Sequence, residues 1–152
     1  MNRGYFGIGV YHMKYEKNLG TLWRSAHNFG ASFIFVIGKR YKRQGCDTTK
    51  AYRHLPLFEY PTYEDFHKTI PHQSRVVCIE QSEKSKDIKN FVHPESCLYL
   101  LGAEDSGIPE EIMFGKEIIH ITTPMCLNVA VAGSIIMFDR LIKGADNDQA
   151  QD

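Results

Sequence analysis

The stretch MCLNVAVAGSIIMFD, Met125 to Asp139, puts Cys126 and Asn128 at the mouth of a segment that is otherwise small and apolar up to Asp139. A thiol and a carboxamide both give and take hydrogen bonds. Here they precede a run that reads as a buried helix. A second stretch, LYLLGAEDSGIPEEI (98–112), ends a buried strand at Gly102 and opens a loop containing Glu104 and Gly107. Pro109 suits the first helical position, and Glu110 and Glu111 suit the first turn that follows. The glycines let backbone come close to something flat, or turn with positive φ. Ligands of open α/β sheets bind beyond the carboxyl ends of strands. The loops 98–107 and 121–128 both sit at such ends and could form two walls of one pocket, its ligand class unassigned. GIG at 7–9 lacks the third glycine and following helix of a dinucleotide fingerprint, and no G-K-[ST] marks a P-loop.

A third candidate is NLGTLWRSAHNFG, from Asn18 to Gly30. Asn18 reads as an N-cap and Gly30 as the residue just past the helix. Leu19, Leu22, Trp23, Ala26 and Phe29 share one face at helical spacing. Arg24 and Asn28, with Thr21 beside them, share the other. Taken alone, Arg24 is a solvated surface arginine and Asn18 only a cap.

These groups need a frame. Apolar runs of strand length fall at 5–12, 32–38, 57–60, 75–81, 97–103 and 117–123, and helical patterns at 18–29, 62–69, 109–115 and 127–142. Continuous apolar strands alternating with helices predict an α/β fold, a parallel sheet covered on both faces. With 152 residues the chain has the length of one domain. No internal repeat is visible. The last residues, GADNDQAQD (144–152), hold no apolar side chain larger than alanine and are expected to be a disordered polar tail.

Net charge is zero, so any polyanion site must come from distribution. The segment KRYKRQGCDTTKAYRH (39–54) gathers Lys39, Arg40, Lys42, Arg43, Lys50 and Arg53 against one acid, Asp47. It reads equally as a solvated loop or as a strip for nucleic-acid phosphates. The four cysteines, at 46, 78, 97 and 126, show no C-x-x-C spacing, and the seven histidines are scattered, so no metal is expected. No signal-peptide core opens the chain, and its longest apolar run is too short to cross a bilayer. The expected setting is a reducing, cytoplasmic one.

Three segments, in order, resemble the motifs of the SPOUT methyltransferases, in the TrmH (SpoU) branch that methylates ribose 2′-hydroxyls in RNA. NLGTLWRSAHNFGA (18–31) matches that branch's asparagine, its arginine six residues on, and its Phe-Gly-Ala. LLGAEDSGI (100–108) matches its Gly-x-Glu-x-x-Gly loop. ITTPMCLNVAVAGSI (121–135) matches its proline, Leu-Asn-Val and helix of small residues. The resemblance spans residues 5–143, as one domain. It implies an α/β/α sandwich with a C-terminal trefoil knot, S-adenosylmethionine as cofactor, a homodimer, and RNA as partner, with tRNA favoured over rRNA.

The resemblance also assigns roles. Ile79, Gly102, Gly107, Ile121, Cys126 and Leu127 would hold the cofactor, mainly through backbone and apolar contact. Glu104 would hold the glycine loop or face the sulfonium. Asn128 would order the loop at the head of its helix. Asn18 and Arg24 would face the RNA. Arg24 would grip a phosphate with its planar fork and stabilise charge. An arginine normally stays protonated, which leaves the proton to the phosphate or to water. Tyr41 and Tyr52, in the basic strip, would stack on bases or simply pack. Ala130, Gly133 and Ser134, small and three to four apart, would let another helix approach closely, and the apolar remainder of that helix would pack against a partner. Cys126 stands where the family has serine, and a thiol donates far more weakly than a hydroxyl. The alternative reading is therefore a catalytically inactive knotted protein that binds RNA or regulates. An unrelated nucleotide-binding α/β protein is a third.

Overall fold

In the computed structural model, residues 4–38 and 54–149 are described, with side chains through Gly144. The basic strip from Lys39 to Arg53, with Tyr41, Cys46 and Tyr52, lies outside them. The elements run β1 (Tyr5–Tyr11), α1 (Glu16–Asn28), β2 (Phe33–Ile37), β3 (Leu57–Tyr60), α2 (Tyr63–His67), β4 (Arg75–Ile79), β5 (Lys86–Asp87), a 3-10 turn (Ile88–Asn90), β6 (Ser96–Leu101), α3 (Glu110–Met113), β7 (Glu117–His120) and α4 (Val129–Gln149). The strands form one seven-stranded sheet in the order β3-β2-β1-β6-β4-β7-β5. Every pairing between these strands, among the described residues, is parallel.

The strands read as continuous apolar runs because both faces are buried. Successive side chains alternate between two cores. Ile34, Val36, Val77, Ile79, Tyr99, Leu101 and Ile119 join the core under α1 and α4. Phe33, Phe35, Ile37, Val76, Cys78, Leu98, Leu100 and Ile118 join the core under α2 and α3. The α/β/α layering expected from the pattern is present.

Helix α1 begins two residues earlier than its pattern suggests. Its N-cap is Tyr15, which makes no side-chain cap bond. The reading of Asn18 as a cap is thereby corrected: it lies in the first turn, and its side chain is used elsewhere. The far end is as expected. Gly30 has φ +84, and the bonds Ala31 N to Ala26 O and Gly30 N to His27 O close a Schellman motif. Pro109 is likewise corrected from first helical position to N-cap. Strands β4, β6 and β7 stop two or three residues short of the expected ends, because those residues turn into loops. β5 and the 3-10 turn gave no sequence signal.

Gly133 and Ser134 of α4 face α1 of the same chain. A Cβ on Gly133 would lie 2.6 Å from Leu22 Cδ1, and Ser134 Oγ bonds Ser25 Oγ at 2.9 Å. A second face of α4 is open: Val131, Phe138, Leu141 and Ile142 are 40–50% exposed. The helix also continues to Gln149, into the expected polar tail. Propagation costs little once a helix is nucleated.

Midway along its length α4 is pinned to the amino end of β6. Arg140, itself buried, donates to the carbonyls of Pro94 and Glu95 at 2.6 and 2.8 Å and to Tyr99 Oη at 3.1 Å. His93 Nε2 meets Asp139 Oδ2 at 2.7 Å, and its Nδ1 meets Tyr99 Oη at 2.6 Å. The carboxylate can only accept, so Nε2 carries the proton and Nδ1 accepts from the phenol. Burial holds the His93 pKa below its ordinary value, outweighing the Asp139 carboxylate. The unfolded chain thus takes up this proton first as pH falls. The unfolding free energy is expected to be full above about pH 6.5 and to decline as pH drops through the depressed folded value. Urea unfolding from pH 8 to 5 should show a flatter profile for His93→Gln than for the native chain.

Candidate active site

The carboxyl ends of β4, β6 and β7 open onto one cleft of about 1440 Å³, and Ile79, Gly102, Gly107, Ile121, Cys126 and Leu127 all line it. The two loops expected to wall a pocket do so. Ile79 and Leu101 are buried strand ends, and Ile121 and Leu127 pack against the core below them. Thr123 Oγ1 donates to Met125 O at 2.7 Å and shapes the second wall.

Beside the cleft, three side chains distant in sequence form one chain of hydrogen bonds. Asn128 Oδ1 accepts from Ala130 N at 2.9 Å and Val131 N at 3.2 Å, capping α4. Asn128 Nδ2 donates to Asn18 Oδ1 at 2.9 Å. Asn18 Nδ2 donates to Glu104 Oε1. The direction is forced. The helix N–H groups demand the Asn128 oxygen, so its amide nitrogen must face Asn18. That fixes the Asn18 oxygen and turns its nitrogen to the carboxylate, which can only accept. Glu104 lines the cleft; Asn18 and Asn128 stand behind it. These three residues, expected to act on RNA or cofactor, are bonded first to one another.

Glu104 also receives Lys14 N at 3.4 Å. Through Asn18 and Lys14 it ties the glycine loop to α1 and to the segment before it. A residue missing from the sequence reading holds the loop from the other side: Glu80, directly after β4, accepts from Ile108 N at 3.1 Å through Oε2. A Cβ on Gly107 would lie 2.4 Å from that oxygen, and one on Gly102 2.9 Å from it. Gly102 first admits the Gly107 backbone, at 2.7 Å, while the flat group that Gly107 admits is a carboxylate of the same chain. Its position just past a buried parallel strand was the available clue.

Other acids share the cleft: Glu83, Asp105 and Glu110 stand against Lys84 and Lys116. Asp105 pairs with Lys14 at 3.3 Å, which holds its carboxyl below the usual range. Cys126 is exposed and free; its thiol has no hydrogen-bond partner among the described residues. Arg24 is exposed on α1, does not line the cleft, and makes no ion pair among the described residues. No three His, Cys, Asp or Glu side chains cluster as metal ligands among those residues, and none of their helices is long and apolar enough to cross a membrane.

A parallel α/β/α domain with a ligand cleft at the carboxyl strand ends and an amide–carboxylate relay beside it is the class of protein defined so far. The profile of the SpoU rRNA Methylase family matches residues 6–138, and the chain belongs to that family. Among curated proteins it is similar to the tRNA (guanosine(18)-2′-O)-methyltransferase TARBP1 of Mus musculus, 27% identical over 138 residues. That match covers 80% of this chain and 8% of the mouse protein's length. A structure from work on the 2-OH methylation of C/U34 on tRNA superposes with a TM-score of 0.82 at 19% identity, covering 95% of this chain and 99% of the other. An AdoMet-bound rRNA methyltransferase from Sinorhizobium meliloti gives 0.77 at 23% identity, covering 90% of this chain and 56% of the other.

Proposed function

We propose that this chain is an RNA methyltransferase domain that uses S-adenosylmethionine to methylate a ribose 2′-hydroxyl, with tRNA favoured over rRNA. One observation carries this reading: the relay Glu104–Asn18–Asn128 joins the three family segments beside a single cleft. The mouse relative and the C/U34 structure, both concerned with tRNA, support the choice of RNA.

The cleft residues fit the cofactor. Ile79, Leu101, Ile121 and Leu127 give apolar walls for an adenine. Glu104 and Asp105 bring negative charge to a ligand bearing a sulfonium and an ammonium. A volume of about 1440 Å³ exceeds the roughly 300–1,000 Å³ of ordinary ligand pockets and leaves room for a nucleotide. The cofactor supplies an electrophilic methyl carbon. The protein's task is to bring a hydroxyl oxygen in line with it, and positioning of this kind can account for several kcal/mol of barrier. Arg24, which makes no ion pair among the described residues, is the residue proposed to hold the neighbouring phosphate. The strip Lys39–Arg53 is proposed to hold the RNA backbone without reading its sequence. The exposed Cys126 thiol suits a cytoplasmic, reducing setting.

The trefoil knot belongs to this proposal. From the end of β7, the segment 121–128 leads back to α4 packed on α1, the path a threaded C-terminus would take. So does the homodimer: the apolar stripe of Val131, Phe138, Leu141 and Ile142 is the surface proposed to meet a second copy. Light scattering should return twice 17.4 kDa. A mass of 17.4 kDa at micromolar concentration would remove the dimer.

Cys126 favours one second reading, an inactive RNA-binding protein that kept the fold. Methyl transfer separates the two. Incubation with radiolabelled S-adenosylmethionine and total RNA should label a ribose 2′-oxygen, to be mapped by nuclease digestion. Arg24→Lys keeps the charge and loses the planar fork. It should lower the transfer rate at least about tenfold, or roughly 1.4 kcal/mol of barrier, with cofactor affinity nearly unchanged. Binding of cofactor and RNA without transfer to any RNA would favour the inactive protein.

A further inference from the structure

Glu80 stands half-buried at the end of β4, in the wall of the cleft, and none of the three family segments contains it. Its carboxylate makes two bonds, both to backbone: Oε1 accepts from Gln81 N and Oε2 from Ile108 N, each at 3.1 Å. No lysine or arginine pairs with it among the described residues. The three atoms nearest a Cβ built on Gly107 all belong to this one carboxyl group, at 2.4, 3.1 and 3.5 Å. The near end of the loop is tied by Asn18 and Lys14 to Glu104 and Asp105, and Gly107 N bonds Ala103 O at 3.1 Å; at Ile108 N the tie is Glu80. Glu104, Asp105 and Ser106 are exposed. Gly107 takes φ +64, and Ile108 is buried with its N–H turned to Glu80.

We propose that Glu80 is a positioning residue for cofactor binding. It holds the 102–108 loop in its ligand-ready shape through Ile108 N, and it occupies the slot that Gly107 leaves open. The inference rests on the assignment of this cleft to S-adenosylmethionine. Without an acceptor at position 80, Ile108 N–H loses its partner and the loop must be ordered by the ligand itself, at a cost in affinity.

A double-mutant cycle on the full chain tests this, with S-adenosylhomocysteine as the titrant in calorimetry. Glu80→Ala should weaken binding at least about tenfold, while Glu80→Gln, whose amide oxygen can still accept from Ile108 N, should stay within about threefold of the native chain. Gly107→Ala should weaken binding at least about tenfold, by collision with the carboxyl group and by strain at positive φ. In the Glu80→Ala background the strain remains and the collision is gone. The same substitution should there cost at least about fivefold less. Additive effects of the two substitutions would overturn the inference. So would Glu80→Gln binding as poorly as Glu80→Ala, because the charge and not the acceptor would then matter. Absence of binding by the native chain would overturn the cofactor assignment, and the inference with it.

Discussion

The hydrogen-bonded chain from α4 through Asn128 and Asn18 to Glu104 is the constraint on which the site depends. Its members come from segments separated by 86 and 110 residues. Each link is directional. A helix start supplies two N–H donors at one end, and a carboxylate supplies a pure acceptor at the other. Between them an amide has only one orientation that satisfies both neighbours. The relay thus fixes where α1, the glycine loop and α4 stand relative to one another, and these elements frame the cleft. Charge assists the last link, which strengthens it relative to a neutral pair, though its exposure to water moderates the gain.

The sheet supports this arrangement from beneath. β1, β6 and β4 lie side by side with both faces covered, so the strand ends bearing the loops are set by two packed cores. Midway along the same helix, Arg140, His93 and Asp139 tie α4 to the start of β6. α4 is therefore held at two places, at its start by an asparagine cap near the cleft and at its middle by a buried guanidinium. Glu80 complements the relay from the other side of the glycine loop. Two carboxylates, Glu80 and Glu104, share the work that the sequence pattern assigned to one.

Much of the frame could be read from residue order alone. The apolar runs became strands, and α1 received the apolar face expected of it. Gly30 closes α1 as foreseen. The failures have a common cause. Asn18 carries the local signature of a cap, yet a partner 86 residues away claims its side chain. Glu80 carries no local signature, because its partner Ile108 is 28 residues on. β5 has two residues and no periodicity to detect. Ala130, Gly133 and Ser134 announce a close helix contact without saying which helix supplies it. Local pattern reports which residues can pack or bond; the pairing belongs to the tertiary structure. The three segments came together in the reading only through their resemblance to a family. Their spacing alone left the ligand open.

The relay can be tested by moving its charge. Asn18→Asp would set a second carboxylate against Glu104, while Asn18→Asp with Glu104→Gln would restore a donor–acceptor pair with the charge shifted by one link. Calorimetry with S-adenosylhomocysteine should show the single variant weakened at least about tenfold and the double variant recovered to within about threefold of the native chain. Native-like binding by Asn18→Asp, or no recovery in the double variant, would contradict the claim that this directed chain holds the three segments in a binding-competent cleft.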